Sequence, residues 1–146
     1  MKKTIMNIEL IPLHSKDKDI KDLMRIHASQ SVAKYISISD NYFDYVTNTN
    51  GVIYYKILWN GILVGGIHCE YVNRKLFISI CIDEKYHRHG IAEVALNKLL
   101  DNANNVDTVE VSIDETNMSS LLLFQKLGFS QIGKEDELII LCKTLH

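Results

Sequence analysis

Two very short turns divide residues 52–82 into three strand-like runs, and this pattern constrains the fold of the chain most strongly. The runs are rich in β-branched and aromatic residues, which favour strands. The first two runs flank Asn60-Gly61, a dipeptide typical of two-residue hairpin turns, and Asn73-Arg74 separates the second run from the third. The sequence therefore predicts three antiparallel strands: Val52–Trp59, Ile62–Val72 and Lys75–Ile82.

The second turn also predicts which side chains share a face of this sheet. With Asn73-Arg74 as a two-residue turn, Glu70 lies opposite Phe77 and His68 lies opposite Ser79. One face is then apolar and is expected to lie in the core: Ile67, Cys69, Tyr71, Leu76, Ile78, Ile80 and Ile82. The opposite face is mixed: His68, Glu70, Lys75, Phe77, Ser79 and Cys81. A bulge would change this assignment, because one inserted residue moves every later side chain to the other face.

Residue spacing defines the elements on either side of these strands. Upstream, we expect a strand over residues 5–11, a helix whose apolar stripe includes Leu23, and a shorter helical piece around Val32. Downstream, we expect a helix over 92–100, a strand over 106–113, a helix opened by Asn117, and a last strand over 137–145. The order βααβββαβαβ is typical of a mixed α/β sheet with antiparallel hairpins first and a βαβ crossover later. We expect one domain over residues 1–146.

Charge and cysteine content exclude several classes of function. The formal net charge of −2 and a sequence pI near 6.3 argue against a protein that binds nucleic acid or a membrane surface. The three cysteines are odd in number and form no CxxC pair, so reduced thiols in the cytoplasm are expected. No run approaches the roughly 20 apolar residues of a membrane span. His87 and His89 lack a third ligand at close spacing, so no metal is expected.

Residues 86–92 read Tyr-His-Arg-His-Gly-Ile-Ala and join the third predicted strand to the helix that follows. The first N–H groups of a helix have no internal partner, and the helix dipole favours negative charge at that end. A short basic loop with one glycine at such a junction therefore predicts an anion site, most naturally for a phosphate group.

The chain resembles the GNAT acetyltransferases in the order of its elements and in two motifs. The family's signature, Arg/Gln-x-x-Gly-x-Gly/Ala at a strand–helix junction, is similar to residues 87–92, His-Arg-His-Gly-Ile-Ala. Residues 117–129, Asn-Met-Ser-Ser-Leu-Leu-Leu-Phe-Gln-Lys-Leu-Gly-Phe, are similar to the family's Asn…Tyr-x-Lys-Leu-Gly-Phe helix. Both motifs together, correctly spaced, are far more specific than either alone. The resemblance implies a mixed sheet with helices on both faces.

The resemblance also implies acetyl-CoA as the acetyl donor and assigns its binding residues. The pyrophosphate would lie on the backbone N–H groups of the loop and helix start: His87, Arg88, His89, Gly90, Ile91, Ala92 and Glu93. The pantetheine arm would pair with the backbone of Ile80, Cys81 and Ile82, as an added strand does, and with Asn117. A Cβ at position 90 would obstruct the approach of a phosphate to the backbone.

Three positions depart from the family's pattern. His87 stands where Arg or Gln is usual; it can donate a hydrogen bond but carries no permanent charge. Phe124 occupies the cofactor-site position of a tyrosine that often protonates the departing thiolate, and it has no proton to give. Ser112 replaces a glutamate base that some relatives carry. General acid–base help is worth about 10²–10⁴-fold, so its loss need not abolish catalysis.

The mixed face of the sheet supplies the candidates for catalysis. Glu70 is the expected catalytic base, with Glu110 on the next strand as an equal alternative, and either side chain can equally be a solvated glutamate. His68 could move protons or serve structure alone. Cys81 could accept the acetyl group in a two-step reaction, although a thiol in an apolar strand more often packs. The aromatic cluster Tyr42, Phe43 and Tyr45 is a candidate wall of the acceptor pocket.

Two functions of different classes follow from these residues. The first is an N-acetyltransferase that moves acetyl from acetyl-CoA to a primary amine, on a small molecule or a peptide, by direct attack. The second is a catalytically weak, GNAT-like module that binds acyl-CoA as a sensor or regulatory subunit. The sequence contains no motif that identifies the acceptor, and it is compatible with a monomer or a homodimer.

Overall fold

A seven-stranded mixed sheet forms the centre of the computed structural model, which describes residues 6–145. The strands are β1 (Ile8–Pro12), β2 (Val52–Trp59), β3 (Ile62–Val72), β4 (Lys75–Ile82), β5 (Thr108–Asp114), β6 (Ser130–Glu135) and β7 (Leu138–Thr144). They lie in the order β1-β2-β3-β4-β5-β7-β6, with β4 and β5 parallel and the other neighbours antiparallel. The helices are α1 (Ile20–Ala28), α2 (Gln30–Ala33), α3 (Tyr42–Asn48), α4 (Ile91–Asp101) and α5 (Met118–Lys126).

Both predicted hairpins have the expected turns, and the β3–β4 hairpin has the predicted register. Asn60 and Gly61 have φ angles of 50° and 79°, and Asn73 and Arg74 have φ angles of 47° and 67°, so both turns consist of left-handed residues. The left-handed conformation is sterically unfavourable for an arginine. The Arg74 guanidinium makes two hydrogen bonds to Asp107 in this conformation, at 2.9 and 3.0 Å. Glu70 lies opposite Phe77 and His68 lies opposite Ser79, as predicted.

A bulge interrupts the β2–β3 hairpin, and it lies outside the predicted face assignment. Ile57 pairs with Gly65 but Leu58 pairs with Leu63, so Val64 is the extra residue of β3. Between β3 and β4 the pairing is continuous from Gly65–Ile82 to Val72–Lys75. The predicted apolar and mixed faces are therefore confirmed.

The two faces of the sheet support two separate cores, with helices on both. On the face of Ile67, Leu76 and Ile78, the buried side chains of α4 and α5 form the larger core with the strands. On the other face, α1, α2 and α3 form a smaller core around Tyr54 and Cys81. This arrangement confirms the mixed α/β class with antiparallel hairpins and a βαβ crossover, β4–α4–β5.

Several predicted boundaries need correction. The predicted single last strand, residues 137–145, is a pair: β7 is preceded by β6, whose Ser-Gln-Ile-Gly-Lys-Glu sequence lacks an apolar alternation because nearly all of it is exposed at the sheet edge. The aromatic segment after residue 40 is a helix, α3, which buries Phe43 and Val46 at i, i+3 spacing. Of the strand predicted over 5–11, residue 5 lies outside the described residues, and β1 extends to Pro12, which an edge strand tolerates.

A buried ion-pair cluster fastens the loop before α1 to the sheet. Lys56 Nζ lies 3.0 Å from Asp17 Oδ2 and 2.8 Å from Asp19 Oδ2. Burial by itself would raise the pKa of Asp17, but the Asp19 amide and the Lys56 ammonium bind the carboxylate and lower it. Because the side chains of Lys56 and Asp17 are only 11% and 2% exposed, solvent does not compensate for the loss of either partner.

We predict that Lys56→Met lowers the free energy of unfolding by about 3 kcal/mol at neutral pH, since it leaves Asp17 buried without its cation. The lowered pKa of Asp17 adds stability that is present at neutral pH and is lost as the pH falls below about 4. Urea denaturation at several pH values measures both effects, and the difference between variant and wild type should shrink at low pH. Lys134→Met, at an exposed pair with Glu115, is the matched control. An unchanged urea midpoint for Lys56→Met would contradict the prediction.

Candidate active site: a cleft between β4 and β5

β4 and β5 pair over only the first half of their length and then separate. Residues 75–78 of β4 pair with residues 108–111 of β5, while β4 continues to Ile82 and β5 to Asp114. In the described part of the sheet, no pairing joins residues 79–82 to residues 112–114. Each strand stays in the sheet through its other neighbour, β3 or β7. The open edge of β4 therefore presents backbone donors and acceptors to any extended ligand that enters the gap.

The loop that follows β4 brings unpaired N–H groups to the same gap. The chain passes through a single 3₁₀ turn, Glu84–Tyr86, and then through Arg88 and Gly90, with φ angles of 68° and 77°, into α4. Among the described residues, no hydrogen bond engages the N–H groups of residues 88–93. Successive free N–H groups at a helix start, next to left-handed residues, form an anion site.

The cleft between the open edge and this loop encloses about 650 Å³ and brings together most of the predicted cofactor residues. Its lining includes Ile80, Cys81, Ile82, His87, Arg88, Gly90, Ile91, Ala92, Glu93 and Asn117. Asn117 precedes α5, and its Oδ1 accepts a hydrogen bond from the Ser120 N–H at 3.4 Å. Residues from three separate elements, β4, α4 and the start of α5, thus face one space.

Two predicted cofactor residues have side chains that lie outside the cleft. Phe124 is 1% exposed and packs edge-to-face against Phe129 in the larger core, so it forms no part of the cleft wall. His89 lies beside Trp59, with ring centroids 5.4 Å apart. His87 lines the cleft, but its Nε2 is bonded to the Ile82 carbonyl oxygen at 2.7 Å, which holds the loop against the end of β4.

One wall of the cleft carries residues that the sequence analysis did not assign to it. These come from α2 and the residues that follow it: Ser31, Val32, Lys34, Tyr35 and Ile36. α2 is a single turn with no motif, and its Val32 belongs to the same smaller core as Cys81. Lys34 and Arg88 supply two cations to the cleft, as an anionic ligand requires.

The anion loop, residues 83–93 between β4 and the first turn of α4, is anchored to α1 by an ion pair. Asp83, 2% exposed, accepts a hydrogen bond from Arg25 Nη2 at 3.0 Å and caps the 3₁₀ turn through the Lys85 N–H at 3.3 Å. Burial would raise the pKa of Asp83, but these donors outweigh it and lower that pKa. Asp83 therefore stays ionised and fixes the start of the loop.

Glu70, the predicted base, is part of a hydrogen-bonded group on the mixed face. Its Oε1 accepts from Tyr45 Oη at 2.9 Å and lies 2.8 Å from His68 Nε2. Partial burial opposes ionisation of Glu70, but the hydrogen bonds from His68 and Tyr45 lower its pKa. The alternative, Glu110, lies 3.5 Å from Lys75 Nζ, and that ammonium also lies over the Phe77 ring.

Cys81 contacts the cleft as a neutral thiol. Its Sγ lies 3.4 Å from His27 Nε2 and 3.8 Å from Tyr54 Oη, and burial raises its pKa to about 11. Burial also lowers the pKa of His27 to about 4, with a contribution from His68, so no imidazolium is present to stabilise a thiolate. This environment suits packing rather than covalent catalysis.

The described residues form neither a metal-binding cluster nor a helix that could span a membrane. Within residues 6–145, no three His, Cys, Asp or Glu side chains converge as a metal site would require. None of the described helices has the length and apolar character needed to cross a membrane.

Comparison with known proteins places this architecture in one family. The sequence profile of the acetyltransferase (GNAT) family matches residues 20–129, well over half of the chain. Among curated protein sequences, none matches significantly.

Solved structures of N-acetyltransferases share the fold at low sequence identity. Spermidine N-acetyltransferase from Vibrio cholerae, in complex with CoA and spermine, has a TM-score of 0.79 and 15% identity, over 94% of this chain and 95% of that one. The ribosomal-protein alanine N-acetyltransferase from Escherichia coli has a TM-score of 0.76 and 17% identity, over 95% and 94%. An aminoglycoside N(6′)-acetyltransferase from Legionella pneumophila has a TM-score of 0.80 and 9% identity, over 97% and 94%. These proteins are named for different acceptors, so the shared fold does not identify one.

Gly90 and Gly61 provide a matched test of the anion loop. They have φ angles of 77° and 79°, and a Cβ at either position would meet nothing within 4 Å. We predict that Gly90→Ala and Gly61→Ala each cost about 1 kcal/mol of stability from backbone strain. Only Gly90→Ala should weaken coenzyme A binding, by at least about tenfold, because its methyl group enters the anion site. Isothermal titration calorimetry measures this, and equal affinities in the two variants would contradict the assignment of the loop.

Phe124→Tyr tests whether position 124 can supply an acid. Because the ring lies in the core, we predict that the added hydroxyl is buried without a partner and costs about 2 kcal/mol of stability. The hydroxyl should have no effect on turnover at a temperature where the variant is folded. A variant with wild-type stability and faster acetyl transfer would show instead that the side chain reaches the cleft.

Proposed function

This chain belongs to the GNAT family of acetyltransferases, and from that membership we propose that it is an N-acetyltransferase that moves acetyl from acetyl-CoA to a primary amine. The acceptor would be a small molecule or a peptide. The amine nitrogen would attack the thioester carbonyl directly, the tetrahedral intermediate would collapse, and the CoA sulfur would leave.

The observation that carries this proposal is the joining of two backbone surfaces in one cleft. The unpaired N–H groups of residues 88–93 suit a pyrophosphate, and the open edge of β4 at residues 79–82 suits the amide groups of a pantetheine arm. A phosphate ligand without an amide-bearing arm would need the first surface only. Lys34 and Arg88 add the positive charge that a pyrophosphate needs.

The open edge would also act on the reacting carbonyl. A backbone N–H of β4 that has no strand partner can donate to the thioester oxygen and stabilise the negative charge that develops on it. Ile80 and Ile82 point into the larger core and hold the strand in place, so this donor is fixed before the ligand arrives. Asn117, at the start of α5, would hydrogen-bond the arm from the opposite side of the cleft.

A second candidate function is that of an acyl-CoA sensor with little catalysis. The observation in its favour is the loss of two acid–base groups: Phe124 is buried in the core, and Ser112 carries no carboxylate. The same cleft would bind the ligand in both cases. The two functions therefore differ in turnover, not in cofactor affinity.

We predict that acetyl-CoA raises the melting temperature, because it binds the folded state alone. We also predict that the protein releases free CoA thiol in the presence of at least one of a panel of amines: alkylamines, polyamines, amino acids, aminoglycosides and peptides with free N-termini. Differential scanning fluorimetry and a thiol-release assay measure the two effects. A rise in melting temperature without thiol release from any amine would contradict the enzyme and favour the sensor. No rise with acetyl-CoA would contradict both.

A further inference from the structure

Three side chains from two elements form a continuous hydrogen-bonded chain on the mixed face of the sheet. Tyr42 Oη, on α3, lies 2.6 Å from His68 Nδ1, and His68 Nε2, on β3, lies 2.8 Å from Glu70 Oε1. We propose that this chain is the proton relay of the acetyl transfer, with Tyr42 as the residue that takes the proton from the amine and returns it to the CoA sulfur. The inference rests on the proposed N-acetyltransferase function and supplies the acid–base group that position 124 lacks.

The direction of each hydrogen bond follows from the groups themselves. An ionised carboxylate only accepts, so His68 Nε2 donates to Glu70. The neutral ring then has its lone pair on Nδ1, and Tyr42 donates its only proton there. The phenol oxygen keeps free lone pairs, so it can accept a proton from a substrate as it passes its own to His68.

The histidine of the relay lies next to the point on β4 where pairing with β5 ends. His68 is the cross-strand partner of Ser79, the first residue of β4 beyond the paired segment. The anion loop follows Ile82, at the wide end of the same gap. A ligand with its phosphates on that loop and its arm along residues 82–80 would therefore carry its acyl end towards Ser79, a span of about 10 Å at about 3.3 Å per residue.

Aromatic packing fixes Tyr42 beside the residues that cover Cys81 on the mixed face of β4. Its ring lies 5.5 Å from the His27 ring and 6.1 Å from the Tyr54 ring, and both of those residues contact the Cys81 thiol. The short bond to His68 and this packing restrict the phenol to one orientation.

The charges around the relay suit a neutral donor at one end and an anion at the other. Burial, together with Cys81, Glu70 and other nearby groups, raises the pKa of Tyr42, so the phenol stays protonated at rest. Glu70 stays ionised, and its side chain is 34% exposed against 17% for His68. The hydrogen-bonded relay thus runs from a half-buried phenol to a carboxylate in contact with water.

The proton balance closes within one catalytic cycle. The neutral amine attacks the thioester and its nitrogen becomes positively charged in the tetrahedral intermediate. That nitrogen gives a proton to Tyr42 Oη, the phenol proton moves to His68 Nδ1, and the imidazolium is stabilised by Glu70. The C–S bond then breaks, and the same proton returns through Tyr42 to the thiolate, leaving an amide, a CoA thiol and the relay in its starting state.

The other titratable groups near the cleft fit this task less well. His27 has no carboxylate partner, and its Nδ1 is buried without a hydrogen bond within the described residues. Glu110 is engaged by Lys75. Tyr45 also donates to Glu70, but it is exposed and makes no bond to His68. Tyr42 therefore has a hydrogen-bonded acceptor for its proton, and that acceptor, His68, is the cross-strand partner of Ser79.

The test measures steady-state kinetics with the best amine from the panel, together with the affinity for coenzyme A. Tyr42→Phe and Glu70→Gln should each lower kcat by about 10²-fold or more, with coenzyme A affinity unchanged. Tyr71→Phe is the matched control: it removes a phenol on the same strand as His68 but on the core face, and its kcat should equal that of the wild type. His68→Ala should lose activity that added imidazole restores, which a structural role would not produce.

The outcomes separate the relay from the function on which it rests. Wild-type kcat in Tyr42→Phe, a loss in Tyr42→Phe without a loss in Glu70→Gln, or no rescue of His68→Ala by imidazole would each overturn the relay while the enzyme stands. A wild-type protein that binds acetyl-CoA but acetylates no amine would contradict the proposed function, and the relay with it.

Discussion

The separation of β4 from β5 is the constraint on which the rest of the site depends. Pairing stops at Ile78 and Val111, yet both strands continue, each held by its outer neighbour. The backbone groups at the inner edge of β4 are left to water or to a ligand, and an unpaired strand edge in a narrow cleft is a strong template for an extended polar arm. The gap also lets one ligand contact both surfaces, because the anion loop places its free N–H groups at the gap's wide end.

The two faces of the sheet contribute differently to this cleft. The larger core fixes α4 through Ile91, Ala95 and Leu96, so the start of the helix has a rigid base. The smaller core holds α1, α2 and α3. The Arg25–Asp83 pair, the cation Lys34 and the hydrogen-bonded relay that ends at Tyr42 lie on this side of the sheet. The Arg25–Asp83 anchor of the anion loop and the candidate groups for proton transfer therefore lie on the same side of the sheet, that of the smaller core.

Local sequence signals were sufficient for the hairpins and the anion loop. Two-residue turns placed both hairpins and set the register of β3 against β4, and a basic loop before a helix marked residues 88–93, because these features depend on residues adjacent in the chain. Contacts between distant residues could not be predicted in this way. Tyr42 and His68 are separated by 26 residues and meet only through the packing of α3 on the sheet. Phe124 shows the converse: its motif position was clear, but the rotation of α5 turns it into the core.

Hydrogen–deuterium exchange with and without acetyl-CoA probes this cleft at its backbone, since the cleft is defined by backbone N–H groups that lack partners. We predict that acetyl-CoA slows exchange in two segments, residues 79–82 and 88–93, and leaves exchange in the edge strands β1 and β6 unchanged. Protection of the loop alone would indicate a phosphate site without the pantetheine channel. Protection of neither segment, in a protein saturated with acetyl-CoA, would contradict the assignment of the cleft as the acetyl-CoA site.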